Sequence, residues 1–516
     1  MKATSSSQSG RNKGAQAPRS NPPLGERGWM LLWGCLIVLS SILTFDPKLY
    51  INGDNVEYIN LAQAAREGRL WASPKYPPFF AWLLVLPQAA FGLALLPQKI
   101  FVAILHAASG LLLLRRARSL LPRGWGEPVA WVAMTLVPVL EFGHYVMSEI
   151  PYLLFSLLGL EALDRMKSQG GARFAILAAL AAAATFYTRS VGLALWAALA
   201  IAVLIDRRPG WRPRAIFAGL SGLLFLPWAL RVLLGPRNPY FRQLIQVNPI
   251  FPEFGVLDLA GWVTRIAGNV KVYLLGEIPT GLLPVIFRWT YDSPERRYHF
   301  LPWFVGLVPL ALMAIGLVLA IRKREPLGLY LVLYTIITLM WPEVWSGLRF
   351  LVPVLPLFLL LLFRGLLWLA ERLRRRVRRA QTAAAVLLVL WILLGIRNQA
   401  ILSQKVQSYP PDWNAYFKIA EWIKTRTKPD DLIVDRKPAI LRYVTGRRVV
   451  TFPREADPKK MLEWMDREGA DYVVLAPIPY DDVKRFLIPA VVAEQTRFEP
   501  AFEIEEPYAV LLRLRR

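Results

Sequence analysis

From Trp29 onward the chain is a succession of apolar runs separated by short polar stretches, and the pattern changes only near residue 398. The runs fall at 29–45 and at about 98–114, 128–142, 150–163, 174–188, 190–205, 215–234, 301–321, 327–341, 350–370 and 381–396. A helix crosses a bilayer with about 20 apolar residues, so each run is read as a span whose ends are approximate. The pattern therefore predicts a mainly α protein, a polytopic transmembrane helix bundle of about 11 spans, with 11–13 open. One run, 77–95, is apolar enough to cross but begins with Pro77-Pro78 and contains Pro87. A re-entrant or interfacial hairpin is the preferred reading. Two extra crossings are the alternative, with a further one near 270–287. Residues 1–28 are rich in Ser, Gly, Pro and Arg without apolar periodicity and read as a disordered tail. Beyond residue 398, amphipathic stretches (413–427, 457–468, 481–494) alternate with short strand-like runs (432–435, 447–452, 472–476, 501–505, 508–514). That alternation predicts a small soluble α/β domain over 398–516.

Composition supports a membrane protein over a soluble one. Of 516 residues, 55% are hydrophobic and only 19% charged, with a mean hydropathy of +0.36. A soluble protein carries about 25% charged residues. The net charge of +25 would suggest nucleic-acid binding in a soluble chain, but its distribution argues otherwise. Six segments hold 25 basic and 6 acidic residues: the N-terminal tail, 115–127, 164–173, 206–214, 322–325 and 371–379. With eleven spans and no crossing by 77–95, all six fall on one side. The positive-inside rule makes that side cytoplasmic. The membrane domain, 29–397, then presents the first loop (46–97), the long loop (236–300) and the C-terminal domain outside the cell. The partners implied are the lipid bilayer and no nucleic acid. The single cysteine, Cys35, rules out an intrachain disulfide, and His106, His144 and His299 lie too far apart for a histidine metal motif. No metal is assigned, although carboxylates alone could still hold a divalent ion.

Charge at span ends on the sparsely charged side is where chemistry is sought. Asp54 opens an amphipathic helix of about 54–67, with Glu57 and Tyr58 on the same face by i,i+3,i+4 spacing. Asp54 is also a good helix N-cap, and Asp-x-x-Glu resembles a capping box. Glu149 follows His144 and Ser148 where a span turns back, a place the helix dipole also favours for an acid. Arg189 is the one charged residue between Arg173 and Asp206. It is either a phosphate ligand or an arginine snorkelling to the headgroups. Lys75, beside Tyr76, and Arg349 are two more cations on this side. Together with Arg189 they could cradle a phosphate arriving from the bilayer. The aromatic residues of the long loop, including Phe251, Phe254 and Trp262, read either as a lid or as an interfacial belt.

In this order and placement, several short motifs carry a resemblance. They are Gly53-Asp54-Asn55 with Tyr58, Tyr76-Pro77-Pro78, Ser148-Glu149-Ile150-Pro151, Thr188-Arg189 with Gly192, and Arg349-Phe350 with Pro353 and Pro356. Over roughly residues 29–400 the chain resembles the GT-C superfamily of membrane glycosyltransferases, above all the protein O-mannosyltransferases and lipid A aminoarabinose transferases. The resemblance implies a sugar donor on a polyprenyl phosphate and a glycan, lipid or protein acceptor outside the cell. It also implies a bacterial plasma (inner) membrane location. It casts Asp54 and Glu149 as the catalytic acids, and Lys75, Tyr76, Arg189 and Arg349 as the donor-phosphate site. Glu57, Tyr58 and His144 take acceptor or supporting places. Many members have two adjacent first-loop acids, whereas here Asn55 follows Asp54, which speaks against a metal site in that loop. Rival readings are a transporter or flippase of lipid-linked sugars, a polysaccharide polymerase or ligase, and an assembly factor. Transporters usually place charge near the midplane and show repeats, and this sequence shows neither.

Overall fold

The computed structural model describes residues 25–206, 208–234, 239–283, 303–374, 379–405 and 408–515. Most of the predicted N-terminal tail, the end of the long loop with His299, and part of the arginine cluster at 371–379 lie outside the described residues.

The described residues before 406 are mainly helical, with one isolated antiparallel bridge between Gln246 and Val256. Helix α1 (Glu26–Leu43) begins inside the segment read as a tail. The first loop holds α2 (Asn55–Arg66) and α3 (Phe79–Phe91), followed by α4 (Leu95–Leu120), α5 (Gly126–Met134), α6 (Val137–Phe142) and α7 (Glu149–Gln169). Next come α8 (Ala172–Thr188), α9 (Leu193–Ile205) and α10 (Trp211–Leu234). The long loop carries α11 (Pro239–Ile245) and α12 (Leu259–Val270). A π-helical segment, Lys271–Glu277, joins α12 to α13 (Ile278–Leu282), giving a nearly continuous rod. Helices α14 (Trp303–Arg322), α15 (Pro326–Met340), α16 (Leu355–Leu373) and α17 (Ala380–Lys405) complete this portion. Among the described residues, three helices are long and apolar enough to cross a membrane by length and composition: Leu95–Leu120, Trp211–Arg231 and Ala380–Gln404. The others are shorter or carry more charge.

Two predicted runs differ in form. The run 128–142 is broken between α5 and α6 at Thr135–Leu136, ahead of Pro138. The run 77–95 is one helix, not a hairpin in itself. Helix α3 turns back at Gly92, whose φ of +62° is open to glycine, and α4 forms the second arm. Its 13 residues extend about 20 Å at ~1.5 Å per residue, short of a hydrocarbon core of about 30 Å. Buried Gln88 ties α3 to α2 by donating from Nε2 to the Ile59 carbonyl (2.9 Å).

Leucines and alanines such as Leu160, Ala178, Leu195, Leu331 and Leu359 fill a single buried cluster. Helices α14 and α16 approach most closely through glycine. A Cβ on Gly316 would overlap the Leu361 carbonyl, and one on Gly365 the Leu312 carbonyl. In lipid, such small-residue contacts replace the hydrophobic drive that water supplies elsewhere. At one end of this pair, Arg364 forms a two-pronged ion pair with Glu325 (2.5 and 2.7 Å).

The C-terminal portion is a five-stranded mixed sheet with helices. Its strands are β1 (Leu432–Val434), β2 (Arg448–Val450), β3 (Tyr472–Leu475), β4 (Phe498–Ile504) and β5 (Ala509–Leu514), in the order β2-β1-β3-β5-β4. β1 runs parallel to β2 and β3, with Ile433 opposite Val449 and Tyr472. β5 is antiparallel to β3 and β4. Helices α18 (Pro411–Arg426), α19 (Pro438–Thr445), α20 (Pro458–Glu468) and α21 (Ile488–Ala493) accompany the sheet. Because α17 continues to Lys405, the anticipated boundary at 397/398 falls inside a helix. One apolar cluster of this sheet, with Trp413, Ile433 and Leu441, also contains Leu49, Ile51 and Val56 of the first loop. Tyr409 Oη donates to the Leu49 carbonyl (3.0 Å) and Tyr443 Oη to the Leu93 carbonyl (2.7 Å). The sheet thus rests directly on the first loop.

Candidate active site

The charged residues singled out from the sequence converge where the first loop meets the ends of α7, α8 and α16. Asp54 is the residue preceding α2, but its side chain does not cap that helix. Tyr76 Oη donates to Asp54 Oδ1 (2.8 Å) and Arg349 Nη2 to Oδ2 (2.9 Å). The local reading of Asp54 as a cap is therefore overturned by stronger, charge-assisted partners from distant segments. Gly53, with φ of +79°, sets the turn, and a Cβ there would meet Met147 Cε at 2.8 Å. Asn55 donates to the Tyr50 carbonyl (2.6 Å) and so braces the turn without reaching the charge cluster.

Glu149 opens α7 and is completely buried. Its Oε1 accepts from Arg189 Nη1 (2.6 Å) and from Arg349 Nε (2.7 Å). Its Oε2 is buried and has no hydrogen-bond partner among the described residues. Arg349 is held in a short 3-10 turn, Leu348–Phe350, just ahead of α16. From there one guanidinium joins both acids. Arg189 is extended between α8 and the 3-10 turn Ser190–Gly192, and it lies over the Phe350 ring at 5.6 Å. Gly192 permits this turn, since a Cβ would come within 2.5 Å of the Phe186 backbone nitrogen. Arg189 also donates to Ser148 Oγ (3.0 Å), which accepts a further bond from Tyr58 Oη (3.0 Å). Burial pushes the Tyr58 phenol up to about 12, so it remains a neutral donor.

Lys75 and Tyr76 lie in a turn where Ser73 Oγ accepts from both of their backbone N–H groups (3.1 and 2.9 Å). Lys75 Nζ donates to Tyr76 Oη (3.0 Å), which extends the chain of donors to Asp54. Arg231 of α10 holds this turn through the Ser73 carbonyl (2.7 Å). Sequence reasoning passed over Arg231, whose only signal was an isolated cation in an apolar run.

Two expected members make no hydrogen bond to this cluster among the described residues, although the charges of Asp54 and Lys75 reach Glu57. Glu57 is exposed on α2 and accepts no hydrogen bond among the described residues. His144 is buried against Phe45 and Tyr145, and its Nε2 accepts from the Asp46 backbone N–H at 3.4 Å. Burial, with Lys99 and His106 nearby, holds its imidazole neutral, well below its usual range. Its role here is to brace the entry of the first loop.

The electrostatics divide the two acids. Burial alone would raise Asp54, but Arg349, Lys75 and the Tyr76 hydroxyl outweigh it and hold the carboxyl at about 2. The Asp54 side chain is 27% exposed and Glu149 is sealed, so only Asp54 can meet a ligand directly. Among the described residues there is no group of three His, Cys, Asp or Glu side chains able to hold a metal. A divalent ion shared by Asp54 and Glu149 would also have to displace the Arg349 guanidinium.

No family model and no curated protein matches the sequence. Solved structures do. ArnT from Cupriavidus metallidurans, apo and bound to undecaprenyl phosphate, superposes with a TM-score of 0.56 at 16% identity. The match covers 94–95% of this chain and 98% of that one. The chain thus shares its fold with ArnT. The archaeal oligosaccharyltransferase AglB from Archaeoglobus fulgidus, in complex with an inhibitory peptide and a dolichol-phosphate, is similar with a TM-score of 0.52 at 14% identity. That match covers 87% of this chain and 69% of that one. The likeness to ArnT spans nearly all of both chains.

Proposed function

We propose that this protein is an integral membrane glycosyltransferase that moves a sugar from a polyprenyl-phosphate donor to a glycan, lipid or protein acceptor. The single observation that carries the proposal is the Asp54–Arg349–Glu149 bridge, flanked by Arg189 and Lys75, within a GT-C fold. One ArnT structure holds undecaprenyl phosphate and the AglB structure holds a dolichol-phosphate beside an inhibitory peptide, and a lipid phosphate is what such a cluster of cations would suit. The distribution of basic segments supports a cytoplasmic N-terminus with the site on the outer side, and a bacterial plasma membrane is what the family resemblance implies.

The acceptor hydroxyl attacks the anomeric carbon as the bond from that carbon to the phosphate oxygen breaks. The polyprenyl phosphate leaves with the bonding electrons, and the hydroxyl proton passes to Asp54. Direct attack inverts the anomeric centre. Negative charge growing on the phosphate is met by Lys75, Arg189 and Arg349. A carboxyl held at about 2 is a weak base. Arrival of the donor phosphate resolves this, because it competes for Arg349 and relieves Asp54 of its strongest cation. Glu149 positions Arg189 and Arg349 and does not touch the substrate. Asp54→Asn should slow sugar transfer by about 10²–10⁴-fold, measured as release of polyprenyl phosphate, while donor binding persists. Transfer at the wild-type rate would remove Asp54 as the base.

A further inference from the structure

The C-terminal sheet turns the carboxyl ends of its parallel strands toward the first loop. β1 leads into Asp435-Arg436-Lys437, and β3 leads toward Tyr480, whose hydroxyl donates to Asn52 Oδ1 at 3.3 Å. Asn52 is two residues from Asp54. In open α/β sheets this edge is where ligands are held.

The ammonium of Lys437 lies 4.4 Å from the centre of the Tyr480 ring, and the Arg436 guanidinium lies 4.8 Å from it. Among the described residues Lys437 Nζ has no carbonyl, hydroxyl or carboxylate acceptor, although the side chain is half-buried. Arg436 pairs with Asp482 at 2.9 Å, yet its Nε is buried with no partner. Two adjacent cations with unspent donors, in a partly desolvated place, are costly unless an anion completes them. Burial, with Arg436 alongside, lowers the Lys437 ammonium to about 8 despite the opposing charges of Asp54 and Asp435. Asp54 is thus close enough for its charge to be felt, without an ion pair.

We propose that Lys437 and Arg436 form an anion subsite for the acceptor, taking a phosphate or carboxylate group carried by that molecule while its hydroxyl reaches Asp54. This rests on the glycosyltransferase reading above. The donor phosphate is served by Lys75, Arg189 and Arg349 from the helix side, where a lipid chain must enter. Lys437 belongs to the sheet side, within reach of the charge of the same acid, which leaves the second substrate as the one to bring it an anion.

The test uses the full chain in nanodiscs with the donor site first saturated with a polyprenyl phosphate. Inorganic phosphate and, separately, acetate are then titrated by calorimetry. Wild type should bind one of them, and Lys437→Met should weaken that binding at least tenfold. Methionine keeps the apolar stem against Tyr480, and Lys437→Arg should restore binding, which separates charge from folding. Tighter phosphate assigns a phosphorylated acceptor, and tighter acetate a carboxylated one. Equal binding by wild type and Lys437→Met, or no binding of either anion by wild type, overturns the subsite. Failure of the polyprenyl phosphate to bind in the first step would instead overturn the donor reading.

Discussion

Arg349→Gln isolates the bridge between the two acids. Asp54 lies at about 2 against an ordinary 3.8. At ~1.36 kcal/mol per pH unit, that is about 2–3 kcal/mol in favour of the ionised form. Burial is the largest influence on Asp54 and acts upward, and Arg349 is the largest one acting downward. Without Arg349, only Lys75 and Tyr76 oppose burial, so the carboxyl should move up by about one to two pH units. The direction for stability follows. A depressed acid stabilises the fold above its unfolded value, and that contribution is lost as pH falls from about 4 through about 2. The variant should lose it at higher pH. The assay is carbon NMR of side-chain-labelled aspartate in nanodiscs, with Asp54→Asn to assign the signal. The acid limb of kcat/KM should move in the same direction. If Asp54 titrated at the same pH in wild type and variant, Arg349 would not be what holds it, and the proposed transfer of Arg349 to the donor phosphate would fail.

Other expectations concern neighbouring parts. Glu149→Gln leaves Arg189 and Arg349 without their shared buried carboxylate and should destabilise the protein by about 3–5 kcal/mol, read by thermal unfolding in detergent. Gly192→Ala forces the Ser190–Gly192 turn away from Phe186. It should reduce transfer far more than it lowers the unfolding temperature, because the turn aims Arg189; parallel losses would refute that view. Gly365→Val should separate α14 from α16 and reduce the yield of folded protein. Anion binding at Lys437 should weaken as pH rises through about 8, since the charged ammonium exists below that value. Binding that stays flat to pH 9.5 would argue against Lys437.

Much of this arrangement is legible in the sequence because charge is rare in apolar runs. Glu149, Arg189 and Arg349 stand out for that reason, Asp54 and Lys75 through the first-loop motifs they belong to, and the structure brings all five together. What the sequence does not supply is pairing across distance. Arg349 and Asp54 are 295 residues apart, and no local pattern tells a helix cap from an ion-pair partner. His144 misleads for the same reason: proximity to Glu149 along the chain does not say which way its ring turns, and it turns to the Asp46 backbone. Proline flagged the run 77–95 as irregular, but the fold there depends on Gly92, whose positive φ starts the return into α4. The strands of the C-terminal sheet follow the short apolar runs closely, whereas its seat on the first loop depends on Leu49, Ile51 and Val56, which carry no distinguishing local pattern.

That seat changes what the sheet is to the rest of the protein. Because Leu49, Ile51 and Val56 are shared with the sheet's own core, the loop that carries Asp54 has no complete interior of its own. Each buried aliphatic side chain contributes about 1.5–3 kcal/mol. Cutting the chain after α17 would therefore uncover apolar surface within a few residues of Asp54. The sheet and the first loop should open as one cooperative unit in hydrogen exchange, with matched protection, while the helices behind them stay closed. The geometry around Asp54 is then maintained from two sides: by the charges at the helix ends and by the folding of a sheet that begins more than 350 residues later.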